Sequence, residues 1–277
     1  MRAAHAKVNL WLNLVGRRDD GYHLLESLVA FVDLADRVEA RPADRLSLEL
    51  DGPLSGALAG EADNLVLKAA RLLADAAGVA PRAAIRLSKH IPVAAGLGGG
   101  SADAAAALRE LAELWRVALP EEELFDLAGR LGADVPMCLA GRAAFVSGIG
   151  ERLTWAPPLP DCAVLLVNPG TALPTRDVFA ARSGGFAPAR PAPRQWNDLA
   201  DLAGILAERG NGLTVAAIHL APAVGQVLEA LGRTGARHVA MSGSGATCFA
   251  LYDSHDLARR AASALPPAWW RHAGRFV

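Results

Sequence analysis

The segment Pro92-Val93-Ala94-Ala95-Gly96-Leu97-Gly98-Gly99-Gly100-Ser101-Ala102 carries the strongest chemical signal in the chain. Glycines at 96, 98, 99 and 100 follow a strand-like run and open a helix-like one. Glycine lets main-chain N–H groups approach an anion with no Cβ in the way, and a helix start adds its dipole. The segment therefore reads as a phosphate cradle. Its spacing is neither that of a Walker loop nor that of a dinucleotide fold. The plainer alternative is a connector in which Ser101 caps a helix. A second cluster, Met241-Ser242-Gly243-Ser244-Gly245-Ala246, reads either as a tight hairpin turn or as the closure of a phosphate site from elsewhere in the chain. Asp134 lies in Leu131-Gly132-Ala133-Asp134-Val135-Pro136, between apolar neighbours and stiffened by the proline. It is a candidate proton acceptor, or a turn aspartate bonded to nearby amides. Lys7 stands on the polar face of the first strand beside Asn9, either as a site charge or as an edge-protecting lysine. Gly21-Tyr22-His23 offers a ring and an imidazole that can stack on and hydrogen-bond a base or sugar. The alternative is a half-buried turn aromatic. No second His or Cys sits at ligand spacing from His23, so no metal role is read there.

The elements that must position these groups follow from periodicity. Val8, Leu10, Leu12 and Leu14 alternate with Lys7, Asn9, Trp11 and Asn13, which predicts a strand with one polar face. Further strands are predicted at 26–34, 45–50 and 83–87, with a turn at Asp19-Asp20-Gly21. Helices are predicted at Asp63–Ala77, Ser101–Trp115 and Glu121–Leu131, with Asp134 just beyond the last of them. A hairpin is expected at 143–155. Ala156-Pro157-Pro158-Leu159-Pro160 breaks the pattern and places a domain boundary, giving 1–155 and 156–277. The second part reads as a strand at 163–167, a helix at 175–181 and an exposed Pro/Gly/Arg-rich loop at 183–194. Helices at 197–209 and 213–231, strands around the second glycine cluster, a helix at 256–264 and a last strand complete it. Helices packed on an antiparallel sheet make this an α+β chain.

Composition narrows the function classes. The 277 residues are 52% hydrophobic, enough for a sizeable core. Net charge is -1, which argues against nucleic acid or an anionic membrane surface as partner. No apolar run reaches the roughly 18–20 residues of a membrane span, and the N-terminal stretch is broken by Asn9 and Asn13, unlike a signal peptide. The cysteines at 138, 162 and 248 are widely spaced among apolar residues, which suits reduced thiols in a cytoplasm. Of 28 basic residues only Lys7, Lys68 and Lys89 are lysine. A lysine kept in so arginine-rich a chain points to a place for a compact ammonium.

Ala6-Lys7-Val8-Asn9-Leu10, Asp20-Gly21-Tyr22-His23, Asp63-Asn64-Leu65, the 92–102 loop, the Asp134 turn, Trp196-Asn197-Asp198-Leu199 and Ser242-Gly243-Ser244-Gly245 together resemble the GHMP kinases over nearly the whole chain. The resemblance implies an α+β, two-domain fold. Its N-terminal domain would be like the second domain of ribosomal protein S5, and its C-terminal domain ferredoxin-like, with substrate and ATP in the cleft between them. It implies phosphorylation of an alcohol on a small molecule, with ATP as co-substrate and Mg2+ expected. Ser101 is the one nominated metal ligand. Within the family, Lys7, Tyr22-His23 and the Asp134 turn point to the 2-hydroxyl of 4-diphosphocytidyl-2-C-methyl-D-erythritol, a step in non-mevalonate isoprenoid synthesis. The implied roles are these. Asp134 accepts the hydroxyl proton, and Lys7 holds Asp134 and the developing charge. Asn9 orients the methylerythritol. Tyr22 and Phe179 stack on the cytosine and His23 hydrogen-bonds it. Thr175, Ser242, Gly243 and Ser244 bind substrate. The loop from Pro92 to Ala102 binds ATP, with Asn64 and Lys89 near the nucleotide. The chain departs from the family at Ala94-Ala95, where glycines are frequent. Alternatives are a homoserine or mevalonate type of kinase, a silent nucleotide-binding module, and, from the S5-like fold alone, an RNA binder. The expected assembly is a monomer or homodimer.

Overall fold

Two long strands, β1 (Arg2–Arg17) and β2 (His23–Arg41), pair with each other and run through most of the architecture. The structure, a computed structural model, describes residues 1–58 and 64–277. Asp63, expected at the start of the first helix, lies outside the described residues. Backbone contacts gather the chain into two compact units that interleave along it. One holds 1–7, 34–93 and 98–141, and the other 8–33, 94–97 and 142–277.

In the first unit, the C-terminal half of β2 pairs antiparallel with β4 (Ala84–Ser88), and β4 pairs parallel with β3 (Ser47–Asp51). Helix α1 (Leu65–Ala77) precedes β4. It starts where the Asn64 side chain accepts from the Val66 N–H at 2.9 Å, and stops at Gly78 in the left-handed region. Helix α2 (Gly99–Leu114) buries Ala102, Ala104, Ala105, Ala107, Leu108 and Leu111 against Val66, Ala69, Ala70 and Leu73 of α1. The small side chains suit a close helix–helix approach. α3 (Glu121–Leu131) has the bounds its sequence predicts, with glutamates at its positive end and Arg130 at its negative end. A short helix, α4 (Val135–Ala140), follows at once.

The second unit contains the hairpin β5 (Ala144–Gly148) and β6 (Arg152–Trp155), with β5 paired to the start of β2. Beyond it lie β7 (Ala163–Asn168), α5 (Thr175–Ala181), α6 (Leu199–Arg209), α7 (Thr214–Leu220), α8 (Pro222–Gly232), β8 (His238–Met241), β9 (Cys248–Tyr252), α9 (His255–Ala264) and β10 (Trp270–Arg275). Their four-stranded antiparallel sheet has the order β10-β7-β9-β8, the ferredoxin-like arrangement with several helices in its first crossover. Leu165, Val167, Val224, Val227, Leu231, Cys248 and Ala250 form much of its core, joined by Leu12 and Leu14 of β1.

Several expectations change. The helix expected over 213–231 is two helices, because Pro222 has no N–H to continue the first and instead starts the second. Helix α2 begins at Gly99 with Gly98 as its cap residue, so Ser101 lies inside the first turn rather than at the cap. The strand face carrying Lys7 and Asn9 is buried, not solvated. One expectation stands: the three cysteines are free thiols.

Candidate active site

In the first unit the 92–102 loop delivers its glycines to a helix start. The first main-chain bond of α2 runs from the Ala102 N–H to the Gly98 carbonyl at 2.9 Å. The amides of Gly99, Gly100 and Ser101 therefore precede the ladder and form the anion-seeking end of a sixteen-residue helix. Gly98 has φ 65° and packs on the Lys7 stem. A Cβ there would lie 2.7 Å from Lys7 Cγ. The positive φ belongs to Gly98 and not to Gly99. Pro92 and Val93 enter the loop, and Ala94 adopts φ 53°, which is uncommon for a side-chain-bearing residue.

Lys7 Nζ reaches Asp134 Oδ2 at 3.5 Å. The lysine side chain is 9% exposed and the carboxylate 43%, so the pair has a buried cationic side and an open anionic side. Asp134 occupies the N-cap position of α4, yet its side chain makes no capping bond. Its backbone is fixed instead, since the Val135 N–H donates to Gly132 O and the Cys138 N–H to Asp134 O, each at 3.1 Å. An aspartate at an N-cap ordinarily accepts from the helix amides. Here the carboxylate is held in place but left available.

Lys89 is 2% exposed and donates to two buried carboxylates, Asp36 and, at 2.6 Å, Asp103 of α2. Asp36 also accepts from the main-chain N–H groups of His90 and Ile91. Burial, together with the nearby Asp36, pushes the Asp103 carboxyl up to about 8 against the pull of Lys89. Burial opposes the charge on Lys89, but Asp103 and Asp36 outweigh it and hold the ammonium above its ordinary range. Lys89 Nζ lies 3.5 Å from where a Cβ on Gly99 would be. The lysine thus ties the start of α2 to β2 and β4. Asn64 is buried as the cap of α1.

In the second unit, the remaining part of the loop meets the second glycine cluster. Gly96 packs against the carbonyls of Ser242 and Gly245, each 2.7 Å from a Cβ placed there, and the Ser242 hydroxyl donates to the Gly96 carbonyl at 3.2 Å. The Thr247 N–H donates to the Ala95 carbonyl at 3.3 Å, and Leu97 is buried. The Asn9 N–H donates to Ser242 Oγ at 3.1 Å, and its side-chain amide donates to Ser27 Oγ at 2.8 Å. Thr175 and Ser244 share a hydroxyl–hydroxyl bond of 2.9 Å, and Gly243 gives its carbonyl to Asn211 Nδ2.

A cleft of about 680 Å³ in the same unit is lined by Tyr22, His23, Phe179 and Phe186, with Arg17, Arg176 and Arg182 around it. The His23 and Phe179 ring centroids are 5.3 Å apart, and those of His23 and Phe186 6.2 Å. Tyr22 is 61% exposed. Burial lowers the His23 imidazole below its ordinary value, and the charges of Arg17 and Arg182 add to this. The ring is thereby neutral near pH 7, with one donor and one acceptor. Sequence reasoning missed Phe186 and the arginines. An aromatic inside a polar loop was the available signal for Phe186.

Among the described residues no group of three His, Cys, Asp or Glu side chains gathers at metal-ligand distance. No helix among them is long and apolar enough to cross a membrane.

Comparison with known proteins adds an independent line. The family model for the GHMP kinases N terminal domain matches residues 64–142, and that for the GHMP kinases C terminal matches 189–272. A curated relative from Paramagnetospirillum magneticum, 4-diphosphocytidyl-2-C-methyl-D-erythritol kinase, is 53% identical over 96% of this chain and 95% of its own length. One of the same name from Rhodospirillum rubrum is 47% identical over 100% of this chain and 92% of its own. Among solved structures, a 4-(cytidine 5'-diphospho)-2C-methyl-D-erythritol kinase superposes with TM-score 0.81 at 39% identity, covering 99% of this chain and 98% of that one. A homoserine kinase from Cytophaga hutchinsonii superposes with TM-score 0.66 at 20% identity, covering 89% and 88%, a likeness of fold alone.

Proposed function

The chain belongs to the GHMP kinase family, and from that premise we infer that it is an ATP-dependent kinase whose acceptor is 4-diphosphocytidyl-2-C-methyl-D-erythritol, phosphorylated on its 2-hydroxyl. The observation that carries the reading is the pair Lys7–Asp134, whose carboxylate sits at a helix cap without capping.

Phosphoryl transfer needs positioning and stabilisation of spread negative charge more than covalent chemistry. The substrate hydroxyl approaches the open oxygen of Asp134, which orients it and takes its proton. The Lys7 ammonium neutralises charge on the side facing the phosphoryl group. The amides of Gly99, Gly100 and Ser101 hold the nucleotide phosphates, in a cradle that a Cβ on Gly98 would disturb. Mg2+ would enter with ATP and would offset phosphate charge there, and Ser101 is the one protein ligand we nominate for it. Asn64 and Lys89 serve the nucleotide indirectly, by fixing α1 and the start of α2. Asn9, Thr175, Ser242, Gly243 and Ser244 hold the substrate's polar body. Tyr22, His23 and Phe179 take the cytosine. The domain organisation we propose is 1–155 and 156–277, supported by the Pro-rich break and by one family segment on either side of it. We propose a cytoplasmic enzyme, monomer or homodimer, with neither nucleic acid nor membrane as partner.

The test is ADP release with four acceptors: the cytidyl diphosphate of methylerythritol, free methylerythritol, homoserine and mevalonate. Turnover of the first alone is expected. Turnover of homoserine or mevalonate with silence on the first would move the chain to another branch of the family. ATP binding without turnover of any acceptor would make it a silent module.

A further inference from the structure

The loop that follows α5 reads from sequence as an exposed connector, yet it is tied down on both sides of one aromatic residue. Before Phe186, the Arg182 guanidinium lies over the Phe186 ring, 4.8 Å from its centroid, and donates to the Gly185 carbonyl. After it, the Ala187 N–H donates to the Leu14 carbonyl of β1 at 2.8 Å. The Arg190 N–H donates to Glu26 Oε2 at 3.2 Å. Arg209 of α6 donates to the carbonyls of Pro191, at 2.6 Å, and Arg190, at 3.4 Å. Arg209 also pairs with Glu26 of β2 at 3.6 Å and lies over the Trp11 ring. Its side chain is only 9% exposed, so removing one partner of the grip leaves polar groups largely buried and unpaired.

This strap fixes Phe186 beside His23 while leaving it 46% exposed, on the wall of the 680 Å³ cleft. A half-exposed phenylalanine held by a cation above it and main-chain bonds behind it has an ordered open face. Long loops without secondary structure are uncommon unless they work at a site. A flat, sequence-indifferent aromatic face is what a planar base requires.

We propose that Phe186 is a further wall of the base-binding cleft, and that Glu26 and Arg209 are positioning residues that hold it there through the loop. The inference rests on the reading of this cleft as a base site. It adds a base-stacking aromatic beyond Tyr22 and Phe179, together with the device that orders it.

The experiment is calorimetric titration of cytidine 5'-diphosphate into the full chain and its variants, with KM and kcat for the cytidyl acceptor measured alongside. Phe186→Ala is expected to weaken cytidine diphosphate binding about tenfold, the loss of one base–ring contact. It should raise KM for the acceptor similarly and leave kcat and KM for ATP unchanged. Phe186→Tyr should restore binding. Arg209→Met should weaken the same binding by about fivefold, and Glu26→Gln, a gentler change, by less. The Phe186→Ala/Arg209→Met double variant should bind no more weakly than Phe186→Ala alone, because the two act through one ring. If the parent itself fails to bind cytidine diphosphate, the base-site reading falls and this inference with it. If the parent binds and Phe186→Ala binds equally well, the inference alone falls. Additive losses in the double variant would overturn the positioning role of Arg209, and unchanged binding in Glu26→Gln that of Glu26.

Discussion

Asp134 and His23 are single residues whose surroundings set their chemistry. Asp134 is fixed by its own backbone and spends nothing on capping. Asp134→Asn should therefore keep the fold and ATP affinity while lowering kcat by about 10²–10⁴. A variant retaining a third or more of parental kcat would remove this carboxylate from the reaction. His23 carries the opposite kind of evidence, a depressed pKa caused by burial and then by Arg17 and Arg182. Its folded value lies below its unfolded one, so the unfolded chain binds the extra proton. Its contribution to stability is full above about pH 6.5 and is lost as pH falls below that. Cytidine diphosphate affinity should accordingly stay level from pH 8 down to about 6.5 and drop only beneath it. A steady loss between pH 8 and 7, absent in His23→Ala, would mean that the imidazole titrates where the structure keeps it neutral. Lys7, Asp134 and His23 were all legible as candidates from residue type and neighbours. The burial of Lys7 and Asn9 was not, because Gly98 and Ser242, which cover them, lie far along the chain.

Periodicity exposed the longer elements and failed at short ones. The bounds of α3 agree to the residue, since eleven residues span three turns with charges matched to the dipole. Helix α4 was missed because six residues give too short a pattern to register. Its absence from the sequence reading left Asp134 as a turn residue rather than a helix cap. The α7–α8 break was missed because proline at a helix start preserves apolar spacing across the junction. The start of α2 is where two expectations can be separated. Gly98→Ala would force a side chain into φ 65° and onto Lys7 Cγ. A stability loss of about 1–2 kcal/mol is expected, with kcat falling more than about tenfold as the lysine is displaced from Asp134. Gly100→Ala is the control, since its Cβ meets only Leu65 at 3.7 Å, and its melting temperature should hold or rise. Lys89→Met probes the strut beneath. It leaves Asp36 and Asp103 facing each other without a cation, and should cost about 3–5 kcal/mol in denaturant unfolding. A Lys89→Met protein as stable as its parent, but unable to bind ATP, would make the lysine a nucleotide contact instead.

At the scale of the molecule, strand–helix alternation made the α+β class readable, while the ferredoxin-like half was reached only through the family resemblance. It did not reveal that 8–33 belongs with the second compact unit. β1 feeds Ala4 into one core and Leu12 and Leu14 into the other. Neither core can melt without disturbing that strand, so scanning calorimetry should give one transition with matching calorimetric and van't Hoff enthalpies. Two resolved transitions would show that the units unfold separately. The loop at 183–194 read only as exposed, because Glu26 and Arg209, which bond to it, are remote in sequence and leave no local trace. The lysine inventory has a practical consequence of its own. With Lys89 sealed in the interior and Lys7 nearly so, Lys68, half-buried, is the most exposed of the three ε-amines to an acylating reagent. Mass-spectrometric amine footprinting then becomes a sparse reporter, in which modification of Lys7 records opening around its pair with Asp134 and modification of Lys89 records loss of the fold.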